Sequence, residues 1–301
     1  MDLKNLREKV FEKDLGIGGY FSAAFDLFKI ILKEDKIFAF LQFVFVLMSF
    51  IGLLVAYALL IMFLYSGNFV LIFLLYIPMF FIGKFALSIA YSYFVAYFFR
   101  KVALKVEGKD DKFSPKGIFT KALVVSGIGA GVQIILFVLE KIPFIGSFFN
   151  FLVSIGIIVI FIWALLYFCD VYYIRDFALL ESFDYSLELS KGNRLKKIIT
   201  GIILAVGIVI GLVIIILPFS NIIRSFSNGI GLLPLVIIFS LILSLIFLYC
   251  QTIQIVIFLN VENSYLQSKE ENSNHNFENR EEIDYTDNQS LENIQNEYEN
   301  K

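Results

Sequence analysis

The chain has 301 residues, of which 58% are hydrophobic, 35 are Phe and only 17% are charged, with a formal net charge of −2. Soluble domains run nearer roughly 45–50% apolar and about 25% charged, so this balance excludes an ordinary globular domain and points to a membrane protein. The apolar runs are continuous and about 20 residues or longer, which selects spanning helices over the short alternating strands of a barrel.

Residues 1–36 carry seven Lys/Arg and seven Asp/Glu. They read as a cytoplasmic N-terminal segment with an amphipathic helix. No cleavable signal is expected, because the apolar run that follows is too long for one. Six apolar runs come next, at 37–65, 69–99, 117–139, 142–169, 198–219 and 230–260. The expected fold is therefore all-α, a polytopic membrane bundle in which residues 37–260 form six transmembrane helices. Short turns, "SGN" at 66–68 and "EK" at 140–141, sit on one side, and amphipathic linkers of about 20 to 30 residues sit on the other.

Orientation follows from the cations. Of the 25 Lys and Arg, 22 lie before the first run, in the two long linkers or after the last run, and only Lys141 and Arg224 fall on the opposite side. The positive-inside rule then places the linkers and both termini in the cytoplasm, with three hairpins turning outside. Cys169 and Cys250 fall at cytoplasmic ends of spans, where thiols stay reduced.

Lys84 is the one cation deep within a run, about 15 residues from either end, and an intramembrane charge is a functional hypothesis by default. Ser88, Tyr91 and Ser92 share its helical face, which makes the four a polar site for a cavity. Alternatively, the long run bends near Pro78 and Gly83 and Lys84 snorkels outward. Gln133, Asn150, Gln251 and Gln254 are polar residues able to bond across helices. Trp163, Tyr167, Tyr172 and Tyr173 read as an aromatic belt at the headgroup level.

Sliding the chain by 80 residues lays "KGIFTKALVVSGIGAGVQIILF" (116–137) on "KKIITGIILAVGIVIGLVIIIL" (196–217), with eight of 22 positions identical. This is a parallel repeat of hairpins. Gly127/Gly131 and Gly207/Gly211 form G-x-x-x-G in both copies, a spacing that lets helix backbones approach closely, although Gly is also common in spans generally. A weaker echo relates "AAFDLFKIILKEDK" (23–36) to "ESFDYSLELSKGNR" (181–194).

In the second long linker, Leu180, Phe183 and Leu187 fall on one face of a helix and Glu181, Asp184, Glu188 and Lys191 on the next. Gly192 is suited to end it. The carboxylates read as a solvated, locally paired face, with a cation or partner site as the alternative. "RDFALLESFDYSLELSKGN" resembles the loop before the fifth span in a broad family of bacterial six-span membrane proteins, which includes the membrane domain beside some glycerophosphodiester phosphodiesterases. Glu181, Ser186, Leu189 and Lys191-Gly192-Asn193 occupy the positions of that pattern, whereas Ser182 and Phe183 replace its Ala-Leu. "FDLFKIILKEDKIFAF" (25–40) is similar to the family's entry helix.

Residues 261–301 are acidic, Asn-rich and nearly free of aliphatics, and read as a disordered cytoplasmic tail. Within the membrane part there is no histidine, no Cys-x-x-Cys, no H-E-x-x-H, no P-loop and no G-x-S-x-G. A non-enzymatic protein without cofactor or metal is therefore expected. Its surroundings are the lipid bilayer and a cytoplasmic protein partner, with no nucleic acid. A membrane scaffold is the leading expectation, and a carrier of a small solute or lipid using a site near Lys84 is the alternative.

Overall fold

Hydrocarbon offers no partner to a backbone N–H or C=O, so an apolar run in a bilayer closes its hydrogen bonds within itself and coils. The computed structural model of the chain describes residues 2–11, 15–66, 74, 77–109, 114–140, 142, 146–163, 165–225 and 232–299. Among the described residues there are ten helices: α1 (Leu3–Phe11), α2 (Ile17–Glu34), α3 (Lys36–Ser66), α4 (Ile77–Glu107), α5 (Pro115–Glu140), α6 (Gly146–Trp163), α7 (Phe168–Ile174), α8 (Leu179–Ser190), α9 (Arg194–Ser225) and α10 (Leu232–Glu299). Five segments, in α3, α4, α5, α9 and α10, are long and apolar enough to cross a membrane.

The fourth apolar run departs from the expectation of one continuous span. It divides into α6, 18 residues or about 27 Å long, and the short α7, with a turn through residues 165–167 between them. The cause is visible in α7, six of whose seven residues, Asp170 among them, turn into protein rather than lipid. The turns expected at 66–68 and 140–141 fall largely outside the described residues.

One end of the bundle is a packed core. The start of α3, the end of α4, the start of α5 and the middle of α10 meet there with α1, α2, α7 and α8, through buried residues such as Leu6, Tyr20, Phe38, Phe98, Ile174 and Phe258. Away from this end the long helices present Leu54, Met62, Ile82, Ile134, Ile158 and Ile210 outward, all exposed. A water-facing monomer rarely shows apolar surface on this scale, whereas acyl chains solvate it without cost. Within the bundle, α3 packs chiefly on α10 and α4 chiefly on α5, while α3 with α4 and α9 with α10 touch more sparingly. Of the two tightest pairs, α4 with α5 are neighbours in sequence and α3 with α10 are not.

One interior expectation needs correction. Tyr167, Tyr172 and Tyr173 do not form a headgroup belt: all three are buried in the packed end, because α7 folds back beneath the bundle. The side chain of Trp163 lies outside what is described. Beyond the expected boundary at residue 261, Val261 and Glu262 are buried in the core, and the backbone of α10 is helical to Glu299. Asn260 explains part of the extension, since its Oδ1 accepts from Tyr20 Oη at 3.0 Å and from the Leu15 N–H at 3.3 Å while its Nδ2 donates to the Val10 carbonyl at 2.8 Å. One turn on, Asn263 Nδ2 donates to the Phe11 carbonyl at 2.6 Å.

Candidate functional site

The linker motif builds a helix with defined ends. Glu181 Oε2 accepts from the Ala178 N–H at 2.9 Å and closes the first turn of α8. At the other end Gly192 has φ +82°, the left-handed conformation that a side chain disfavours, and Asn193 Nδ2 donates to the Leu189 carbonyl at 3.4 Å. The buried face is not centred on the expected Leu180, Phe183 and Leu187, of which Phe183 alone packs against the core. Leu180 is 77% exposed, and Ser182, Ser186, Leu189 and Ser190 are buried instead. Small hydroxyl side chains let α8 lie close against the core, and Ser190 Oγ satisfies itself on the Ser186 carbonyl at 2.7 Å. Lys191 is exposed beside the turn. In the alignment that lays Phe25 on Phe183, Ala24 and Ile31 of α2 fall on Ser182 and Leu189 of α8. All four are fully buried, so the two entry helices share a register.

Charge is gathered at the packed end. Arg175, just past α7, donates through Nε to Glu262 Oε1 at 2.9 Å, and its Nη2 reaches both Glu262 Oε2 and Glu107 Oε1. Tyr185 Oη of α8 adds a fourth group, donating to Glu262 Oε1 at 3.2 Å. The hub therefore ties α4, α7, α8 and α10 together. Burial alone would lower the Arg175 pKa, but the two carboxylates outweigh it and hold the guanidinium firmly protonated. Alongside, Arg100 donates to the Ile174 carbonyl and to Asp176, and Lys121 donates to the Arg175 carbonyl. Where α4 ends, Arg7 Nε of α1 donates to the Val106 carbonyl at 2.8 Å, and Gly108 at φ +72° leaves room for its guanidinium; a Cβ there would lie 2.1 Å from Arg7 Nη2.

A second ion pair is buried at the start of α9. Lys197 Nζ donates to Asp170 Oδ2 and to the Leu166 carbonyl at 2.6 Å. Burial pushes the Asp170 carboxyl above the ordinary carboxylate range, against the opposing pull of the Lys197 ammonium.

Further along the bundle the polar residues divide. Ser92 and Ser88 meet Ser126 of α5, whose Oγ lies 2.9 Å from Ser92 Oγ and donates to the Ser88 carbonyl at 3.3 Å. Tyr91 turns to α10 and α3 instead: Gln251 Nε2 donates to Tyr91 Oη at 3.2 Å and to Gln42 Oε1 at 3.4 Å. Lys84 joins neither group. It is exposed and has no hydrogen-bond or ion-pair partner among the described residues, so the structure does not unite the four expected residues into one site. Gln42 escaped the sequence reading. Its signal was available, as an amide within an apolar run one helical face from Phe38 and Phe45. Gln133 and Gln254 face outward.

An apolar cleft of about 410 Å³ opens beside this trio between α3, α4 and α10, with Gln42 and Tyr91 at one end and Phe45, Phe50, Leu53 and Phe247 along it. A second apolar groove, about 600 Å³, lies between α2, α9 and α10 and is lined by Gly207 and Gly211. Among the described residues, a Cβ on Gly127, Gly131, Gly207 or Gly211 would meet no atom within 4 Å. The two threonines that the repeat aligns each bond back within their own helix. Thr120 Oγ1 donates to the Lys116 carbonyl at 3.1 Å, and its counterpart Thr200 Oγ1 to the Lys196 carbonyl at 2.7 Å.

Among the described residues no group of three or more His, Cys, Asp or Glu is placed to hold a metal ion. Long apolar helices over a polar, packed end are the architecture of a multi-pass helical membrane protein. No protein-family model, curated protein or solved structure matches the chain.

Proposed function

We propose that this chain is a non-enzymatic integral protein of the cytoplasmic membrane, a scaffold whose packed end meets protein partners in the cytoplasm. Six helices, α3, α4, α5, α6, α9 and α10, cross the bilayer as three outer-side hairpins, and both termini lie in the cytoplasm. α6 is the sixth span: its length of about 27 Å comes near a hydrocarbon core of about 30 Å. The observation that carries the reading is the coincidence of two independent features. The helix ends that converge on the packed end are the ends flanked by Lys and Arg in the sequence, as the positive-inside rule requires. The likeness of residues 175–193 to the loop before the fifth span of the bacterial six-span family is in keeping with this orientation.

Purification in native lipid after crosslinking from residues 175–197 tests the scaffold role. Recovery of a defined cytoplasmic protein in stoichiometric amount is the expected result, and a chain that emerges with lipid alone counts against it.

Carriage of a small solute or lipid is the second reading, favoured by the α5/α9 repeat and placed near Lys84 between the hairpins. Replacement Lys84→Met separates the two. Lipid distribution between the leaflets of reconstituted vesicles should be unchanged for a scaffold and should collapse for a carrier that uses this charge.

A further inference from the structure

The cleft between α3, α4 and α10 ends on Gln42 and Tyr91, and the Gln251 amide that bonds both of them stands behind this end, where the two amides leave a chemical mismatch. Gln42 is fully buried and Gln251 is 7% exposed, yet Gln42 Nε2 and Gln251 Oε1 have no hydrogen-bond partner among the described residues. One amide–amide bond between two glutamines always leaves one NH2 and one C=O over, whichever way each amide is turned. What remains is a donor and an acceptor together, and an unpaired polar group at this depth carries a large desolvation cost.

The surroundings define what can satisfy them. Among the described residues no Lys, Arg, His, Asp or Glu lines the cleft, so an ionised headgroup would enter it without a counter-charge. Its volume of about 410 Å³ lies within the range of ligand sites, and its walls are aromatic and aliphatic. Polarity is also ordered along the bundle. Gln42 lies about 9 Å along α3 from Lys36, and Leu53 about 16 Å further on, away from the packed end. The other two helices repeat the order, with Leu87 one turn outward of Tyr91 on α4 and Phe247 and Leu243 outward of Gln251 on α10. A ligand that fits must have a neutral polar end just inside the interface and an apolar body reaching toward the bilayer centre. The polar end must donate and accept at once, which a hydroxyl does.

We propose that this cleft binds an uncharged lipid bearing a free hydroxyl, of the diacylglycerol kind, from the inner leaflet. The hydroxyl accepts from Gln42 Nε2 and donates to Gln251 Oε1, and one acyl chain runs along Phe45, Phe50 and Leu53. Assignment to the inner leaflet rests on the orientation given under Proposed function; the site itself does not.

The test is photocrosslinking of the full-length protein in phosphatidylcholine vesicles that contain a photoactivatable diacylglycerol analogue, with the labelled peptides mapped by mass spectrometry. Labelling should concentrate on residues 42–53, 87–91 and 243–251 and fall roughly tenfold in Gln42→Leu, the loss expected for one buried hydrogen bond. A second variant, Ser49→Phe, fills the cleft but keeps the polar end, and should abolish labelling with the melting temperature maintained. The inference is overturned if labelling spreads evenly over outward-facing helices such as α6, or if the variants label like the parent. It is equally overturned if an anionic phosphatidylglycerol analogue labels the cleft as well as the neutral lipid, since the polar end would then be hydrated and unselective. Labelling confined to the cleft in a chain whose termini prove to lie outside would retain the site and remove only the leaflet.

Discussion

Arg175 and Glu262, 87 residues apart in the chain, meet side-on, with the guanidinium Nε and Nη2 each directed at one carboxylate oxygen. Only 19% of the arginine side chain and 6% of the glutamate side chain are exposed. The planar fork suits this bidentate geometry in a way a lysine would not. Glu262→Gln removes the charge, whereas Arg175→Met strands the Glu262 carboxylate in a low-dielectric site and leaves Glu107 with Lys109 alone. Loss of one partner of a buried pair typically costs about 3–5 kcal/mol. We expect Arg175→Met to be the more damaging of the two, read as the drop in unfolding midpoint in a mild detergent. Equal midpoints for parent and variant would show that the hub contributes nothing.

The same contacts set where the folded part ends. A chain cut after residue 260 loses Glu262, the Asn263 bond to the Phe11 carbonyl and the Tyr265 bond to Glu188, whereas one cut after residue 271 keeps them all. The first truncation should unfold at a lower temperature and expose α1 to protease. The second should melt with the parent.

Much of this architecture is written in apolarity, and its limits are physical. Runs of about 20 or more apolar residues have no alternative to helix in lipid, so α3, α4, α5, α9 and α10 are legible from the sequence. So is the stop at Gly192, because a left-handed residue after an amphipathic helix is a local requirement. The buried face of α8 is not legible that way. Hydrophobic periodicity selects Leu180, yet the core chose the serine face because close approach, not transfer from water, decided the packing. Burial of Tyr167, Tyr172 and Tyr173 was hidden for a related reason: belt and core use the same residue types, and only the turn at 165–167 distinguishes them. Partners such as Arg175 with Glu262 and Gln42 with Gln251 meet through tertiary packing over 87 and 209 residues, beyond any local pattern.

Two glycine classes should respond oppositely to alanine. Gly192 stands at φ +82°, where a Cβ is strained by roughly 1–2 kcal/mol, while Gly207 is mid-helix with open space around its Cα. Gly192→Ala should lower the unfolding midpoint. Gly207→Ala should leave it unchanged or raise it by up to about 1 kcal/mol, since alanine is the better helix former. A destabilised Gly207→Ala protein would mean that α9 packs against a second copy of the chain.

Sidedness is open to direct chemistry. Lys191 and Glu140 are both exposed, at opposite ends of the bundle, and each can carry a single cysteine in a background with Cys169 and Cys250 replaced by serine. With the packed end in the cytoplasm, a membrane-impermeant maleimide added to intact cells should label Glu140→Cys and spare Lys191→Cys until the cells are opened. The reverse pattern inverts the protein.

The Asp170–Lys197 pair carries a pH dependence whose sign follows from burial. Because desolvation raises the Asp170 carboxyl above its unfolded value, the folded chain holds a proton that the unfolded chain has already released. Stability contributed by this group is therefore full below the ordinary carboxylate range and is lost as pH rises from the unfolded value to the folded one. Lys197 limits the loss by favouring the ionised form. Three variants separate these effects in unfolding scans from acidic to neutral pH. Asp170→Asn should flatten the slope that Asp170 adds, and at neutral pH it leaves the Lys197 ammonium with only the Leu166 carbonyl. Lys197→Met should steepen the slope, because nothing then opposes the desolvation of the carboxylate, and at neutral pH should cost about 3–5 kcal/mol. The double variant should recover most of that loss, as a neutral pair of similar volume replaces a buried ion pair. A slope identical in all four proteins would remove Asp170 as its source.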